Sequence, residues 1–176
     1  LTLTFLNPNF ISFDTLYAEN LNRINKTKKA KNIYKKIKKK GSVYNWYAAK
    51  QITRILFRDE KKKEAIIYLD KNFNKINNPN IYTIYDFADF LKNNKKFKES
   101  IIQYSRVLKA INKDHYLYAE ASEGRGIAYE RSDQWKKAEN DFLNSLKASP
   151  NQPYVINYLA YSWIEKGLYI EKSLKM

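Results

Sequence analysis

A chain of 176 residues carrying 33 Lys and Arg against 18 Asp and Glu, net charge +15, has enough apolar content (44%) to build a core. With no cysteine it has no disulfide framework, no thiolate zinc site and no cysteine nucleophile. No run of about 18 apolar residues reads as a membrane-spanning helix, and four glycines with four prolines are too few breakers for a many-turned β fold.

The first residue is Leu, and LTLTFLNPNF lacks the charged start and long apolar core of a signal peptide. The true start is therefore expected upstream, and the compartment, cytoplasmic or periplasmic, stays open. Residues 1–10 read as the tail of a helix from a preceding truncated repeat, stopped by Pro8. In residues 11–45, Tyr17, Ala18 and Leu21 mark a first helix and Asn25-Lys26-Thr27 a break. Ala30, Ile33, Tyr34 and Ile37 form the stripe of a second helix, stopped by Gly41. Residues 46–80 repeat the arrangement, with Ile52 and Leu56, the charged turn Asp59 to Lys63, then Ala65, Leu69 and Phe73; Asn77-Asn78-Pro79-Asn80 breaks the helix. Residues 81–118 carry Phe87, Ala88 and Leu91, then Ser100, Tyr104 and Leu108, with about four extra residues near His115 to Tyr118.

Residues 119–152 hold the clearest unit. Gly126, Tyr129, Ala138, Phe142 and Pro150 are spaced as two helices that approach closely at the small residues and fill the seam with the large ones, around the polar break Ser132-Asp133-Gln134. Residues 153–176 begin the pattern again with Leu159, Ala160 and Trp163, put Gly167 in the turn and stop inside a second helix. Starts at 11, 46, 81, 119 and 153 give a period near 35 residues. This pattern resembles the tetratricopeptide repeat, whose L-G-x2-Y, A-x3-F and P positions match Gly126, Tyr129, Ala138, Phe142 and Pro150, although the family's usual Trp and Leu are Ser122 and Arg125 here. The resemblance implies an all-α α-solenoid, a right-handed superhelix of antiparallel hairpins of bacterial type, whose first helices line a concave groove and whose second helices form the outer wall.

Under that geometry thirty first-helix positions face the groove, and they carry six basic and seven acidic residues although the chain is strongly basic. Lys50, Arg54 and Arg58 recur every four residues as one basic ridge. Asp86, Asp89, Glu120, Glu123 and Glu130 make an acidic zone. Tyr82, Tyr85, Tyr154, Tyr158 and Tyr161, with Asn157, supply flat amphipathic contact surface of the kind favoured in protein recognition. The expected occupant is a protein or peptide with an acidic end and a basic stretch. Nucleic acid is not expected, because a groove tracking phosphates should concentrate Lys and Arg where the ligand lies. The two-carboxylate clamp of the family is not expected either, since Arg54 and Asp86 stand where Asn would be needed. Oligomeric state is not legible.

Much of the excess charge lies in Lys26–Lys40, nine lysines in fifteen residues, on a second helix. A solvated outer face, a contact with an anionic membrane surface or with nucleic acid, and the amino-acid bias of an AT-rich genome are the readings open for it. His115 stands alone without a catalytic partner, and Gly124-Arg125-Gly126 is a fragment of a Gly-rich pattern lying mid-helix. No catalytic residue, cofactor or metal is therefore assigned. The expected function is a non-enzymatic interaction scaffold. The alternatives are an RNA-binding helical-repeat protein and an accessory segment of a larger envelope-assembly or enzyme-containing protein.

Overall fold

Helix follows helix in the computed structural model, which describes residues 11–169 and Glu171; the expectations for residues 1–10 and for the second helix of the last pair lie outside the described residues. The elements are α1 (Ile11–Arg23), α2 (Thr27–Ile37) with a 3-10 turn (Lys38–Lys40), α3 (Ser42–Arg58), α4 (Lys62–Phe73), α5 (Ile81–Asn93), α6 (Phe97–Ala110), α7 (Leu117–Glu130), α8 (Trp135–Ala148) and α9 (Pro153–Glu165). No strand occurs among the described residues. The helices divide between two compact units, Leu1–Pro79 and Asn80–Met176.

One turn solution recurs. Asn25, Glu60, Lys95, Asp133 and Gly167 adopt the left-handed conformation with φ of 58°, 60°, 62°, 59° and 65°. In each case the next N–H reaches back five residues: Lys26 to the Leu21 carbonyl, Lys61 to Leu56, Lys96 to Leu91, Gln134 to Tyr129 and Leu168 to Trp163, at 2.7–2.9 Å. This is the Schellman closure of a helix end, which satisfies carbonyls the helix itself leaves orphaned. Helix starts are fixed locally too. The Asn80 side chain accepts from the Thr83 N–H at 2.9 Å, and Pro153 opens α9 where its missing N–H costs nothing.

Inside the hairpins the close approach is made by small residues twelve positions apart. Ala18 with Ala30, Thr53 with Ala65, Ala88 with Ser100 and Gly126 with Ala138 are all buried. Ser100 adds a hydrogen bond from its Oγ to the Ala88 carbonyl at 2.8 Å, so a hydroxyl at the crossing is not left unpaired. The first unit's core gathers Leu21, Tyr34, Ile37, Ile52, Ile55 and Leu56 around these alanines. The second unit's core is built from Phe142, Val155, Leu159 and Trp163, with Tyr104 and Val107 also buried.

Both mid-helix glycines of α7 are dictated by packing. A Cβ at Gly126 would lie 2.8 Å from the Phe142 ring and 3.3 Å from the Ala138 carbonyl oxygen, and one at Gly124 would lie 2.4 Å from the Tyr104 ring. Between them, Arg125 turns the other way. Its Nε and a terminal nitrogen donate to the two carboxylate oxygens of Asp141 at 2.6 and 2.8 Å, and its remaining nitrogen donates to Ser105 Oγ at 3.0 Å. Where the repeat pattern usually puts Leu, this chain places a forked ion pair joining α6, α7 and α8.

Candidate functional site

In the second unit the first helices of consecutive hairpins, α5, α7 and α9, lie next to one another and share a polar face. Asp89 on α5 accepts from Lys92 Nζ at 2.8 Å and from the Tyr104 hydroxyl at 3.2 Å. Glu123 on α7 faces this pair half-buried, and burial, then the negative charges of Glu120 and Asp89, hold its carboxyl above the ordinary glutamate range while Lys92 pulls it back. Tyr85 lies edge-on to Tyr104 at 5.9 Å. Burial and the adjacent Glu120 and Asp89 push its phenol well above the usual tyrosine range, so it is a neutral hydrogen-bond donor at any physiological pH. Asp86 lies one turn before Asp89, half-buried, and Glu120 is exposed.

Aromatic surface borders these carboxylates. Tyr82 stacks on Tyr116 at 6.2 Å, and Tyr116 on His115 at 4.8 Å. On α9, Tyr158 packs on Phe142 and donates its hydroxyl to Glu130 Oε2 at 2.7 Å, which ties α9 to α7. Tyr154 leans on Tyr158 at 6.0 Å, while Asn157 and Tyr161 point to solvent. Beside Tyr154 an open recess of about 600 Å³ is lined by Lys92, Asn93, Lys95, Phe97, Ile127 and Arg131, so a cationic rim adjoins the acidic zone.

The first unit presents a different surface. Lys50, Arg54 and Arg58 do lie one turn apart along α3, but they are not equally available. Arg58 donates to the Asn22 carbonyl at 3.0 Å, closing the last turn of α1, where a cation suits the helix end. Arg54 is exposed and reaches the Gln51 side chain only at 3.5 Å; Lys50 is half-buried. Tyr47 and Phe57, on the same helix, rest against the core, and Tyr47 donates to Glu19 Oε1 at 2.7 Å.

No protein-family profile matches this chain, and no curated protein sequence matches it significantly. Solved structures do. It superposes on MamA from Desulfovibrio magneticus RS-1 (residues 41 to the end) with a TM-score of 0.68 at 16% identity, over 93% of this chain and 89% of that one. YrrB, described as a TPR protein with an unusual peptide-binding site, gives 0.54 at 16% identity over 89% and 95% of the two chains. The N-terminal domain of stress-induced protein-1 from C. elegans gives 0.52 at 18% identity over 68% and 94%. The fold is the tetratricopeptide fold.

On this tetratricopeptide scaffold none of the thirteen residues singled out from the sequence is buried. The second unit brings Tyr85, Asp89, Glu120 and Glu123 into one electrostatic cluster and joins α9 to it through Tyr158 and Glu130. Sequence reasoning passed over Tyr116, the most exposed ring of the aromatic stack, because it lies in the segment before α7 rather than on a periodic helix face. It also passed over Lys95 at the rim of the recess, since a turn residue carries no helical periodicity to place it.

Proposed function

We propose that this chain is a non-enzymatic interaction module, built of tetratricopeptide repeats at 11–45, 46–80, 81–118, 119–152 and 153–176, that binds a peptide segment of a protein partner on the α5–α7–α9 face. The observation that carries the reading is the clustering of Asp89, Glu120 and Glu123 beside Tyr85, with the hydroxyls of Tyr104 and Tyr158 already bonded to carboxylates. Such a surface is pre-organised: the rings are held before the ligand arrives, so little side-chain entropy is lost on binding. A lysine- or arginine-rich stretch meets the carboxylates. A carboxylate further along the same segment fits the recess rimmed by Lys92, Lys95 and Arg131. Asn157 and Tyr161 extend the face along α9. In the first unit, Lys50, Arg54 and Arg58 offer a separate place for acidic groups of a partner. The chain's one histidine, His115, has its ring stacked on Tyr116 and accepts the Leu117 N–H at Nδ1 at 3.1 Å, and no catalytic role is given to it in this reading.

The test uses a synthetic lysine-rich peptide with a free C-terminal carboxylate, titrated by fluorescence anisotropy. The triple variant D89N/E120Q/E123Q is expected to bind at least about ten-fold more weakly, three partly exposed charge contacts at roughly 0.5–1 kcal/mol each. Unchanged affinity, or tighter binding of single-stranded RNA by the wild-type chain at physiological salt, would count against the proposal. Binding should also respond to pH. Because the folded value for Glu123 is raised, its charge is lost on acidification sooner than that of an ordinary glutamate. Affinity for the basic peptide therefore begins to fall above the ordinary carboxylate range, and E123Q removes that early part of the titration. The sign for stability is opposite: ionised Glu123 is the less favoured form in the fold, so its protonation adds stability as pH falls through the raised value.

A further inference from the structure

We infer that the outer face of the first unit, on α2 and α4, is a docking surface for an anionic phospholipid bilayer. This is independent of the peptide-binding face, which lies in the other unit. The charge of the chain is not spread evenly. Residues 1–79 carry eighteen cationic and six anionic side chains, and residues 80–176 fifteen and twelve, so the first unit holds +12 of the +15. A genome-wide bias toward lysine codons supplies lysine to both halves but gives no reason for carboxylates to be thinned from one of them.

The fold then sorts this excess onto one side. On α2 the buried positions are Ala30, Tyr34 and Ile37, which leaves Lys28, Lys29, Lys35, Lys36 and Lys39 on the exposed stripe that runs into the 3-10 turn. None of these five has a carboxylate partner among the described residues; the lysines that do, Lys31 with Asp59 and Lys40 with Asp14, lie at its margins. α4 meets the 3-10 turn that ends α2, where Lys38 donates to Asn72 and covers the Tyr68 ring. On its exposed side Ile67 is 66% exposed, with Lys63 and Lys71 four residues away on either side and the carboxylates of Glu64 and Asp70 three residues away.

Five lysines without carboxylate partners on α2 and its 3-10 turn, together with an exposed isoleucine on α4, suit an interfacial surface. Each lysine near an anionic leaflet adds attraction without needing a defined partner geometry, and the isoleucine enters the headgroup layer while the lysine stems reach to the phosphates. Nucleic acid would ask for other chemistry. The run Lys26–Lys40 contains no arginine to grip phosphates or bases as a fork, and the face has no stacking platform, because Tyr34 is fully buried and Tyr68 is roofed by Lys38.

The experiment is co-sedimentation of the full chain with phosphatidylcholine vesicles with and without phosphatidylserine, at low and physiological salt. Binding is expected only with phosphatidylserine and should weaken as salt screens it. Changing Lys28, Lys29, Lys35, Lys36 and Lys39 together to Gln is expected to lower the partition coefficient at least about a hundred-fold, and I67S about ten-fold. The same change at Lys95, Lys96, Lys98, Lys109 and Lys113 of the second unit should leave binding within about two-fold of wild type, because those side chains lie outside the docking face. Equal partition onto both vesicle types, equal loss in the two five-lysine variants, or binding of single-stranded RNA with no vesicle binding would each overturn the inference. The wild-type comparison of vesicle types decides the matter even if a variant folds poorly.

Discussion

Asp141→Ala is expected to lower the stability of the second unit by about 3–5 kcal/mol, seen as a fall in melting temperature of more than about 10 °C by circular dichroism. Asp141 is 2% exposed and meets two nitrogens of Arg125 at 2.6 and 2.8 Å. Removing it leaves a guanidinium with no carboxylate, still hydrogen-bonded to Ser105 Oγ and set against the Tyr129 ring 5.7 Å away. A charge taken out of water and deprived of its partner costs far more than the pair contributed, because desolvation is no longer offset. The apolar double variant Arg125→Met with Asp141→Leu removes both charges together and should recover more than half of the loss. If D141A melts within about 2 °C of wild type, the pair carries no such weight.

Phe142→Ala is expected to cost about 3–5 kcal/mol, and Gly126→Ala about 1–3 kcal/mol, although alanine is intrinsically the better helix former by about 1 kcal/mol. Phe142 is fully buried, so truncation removes its contacts and opens a cavity against Val155, Leu159 and Trp163. At Gly126 the added methyl would sit 2.8 Å from the same ring, and the Ala138 carbonyl at 3.3 Å prevents the helix from backing away. The two changes must therefore couple. In the F142A background the cavity receives the new methyl, so G126A should become neutral or stabilising, an interaction of more than about 1 kcal/mol in a double-mutant cycle by chemical denaturation. Additive effects would mean that the glycine is present for another reason.

These two tests divide what the sequence discloses from what it withholds. Gly126, Ala138 and Phe142 were legible as the close approach and its filling, since small and large residues at helical spacing report which stripe faces inward. The buried ion pair was not. Asp141 visibly interrupts the stripe Ala138, Phe142 and Ser145, which signals that a cation must come to it. Nothing along the chain says that the cation is Arg125, sixteen residues earlier on the facing helix. Gly124 is a similar case. Its need for no side chain comes from Tyr104, a residue of another hairpin.

The candidate site divides along the same line. Tyr82, Tyr85, Asp86, Asp89, Glu120 and Glu123 could be placed on first-helix faces by periodicity. That Tyr158 would be held by Glu130, and that Arg58 would close the end of α1, depends on how neighbouring helices lie against each other. The left-handed turns at Glu60 and Lys95 were hidden for a further reason: neither residue favours that conformation, and each adopts it where the adjoining helix ends are already closed by backbone hydrogen bonds.

By itself the sequence determined an all-helical chain of hairpins and which stripe of each helix is apolar, because a period of 3.6 residues is written locally and every hairpin repeats it. Only the tertiary structure decided which charges pair, which are left to solvent and which glycine faces which ring. Those outcomes rest on distances between helices, and a linear pattern carries no record of distance.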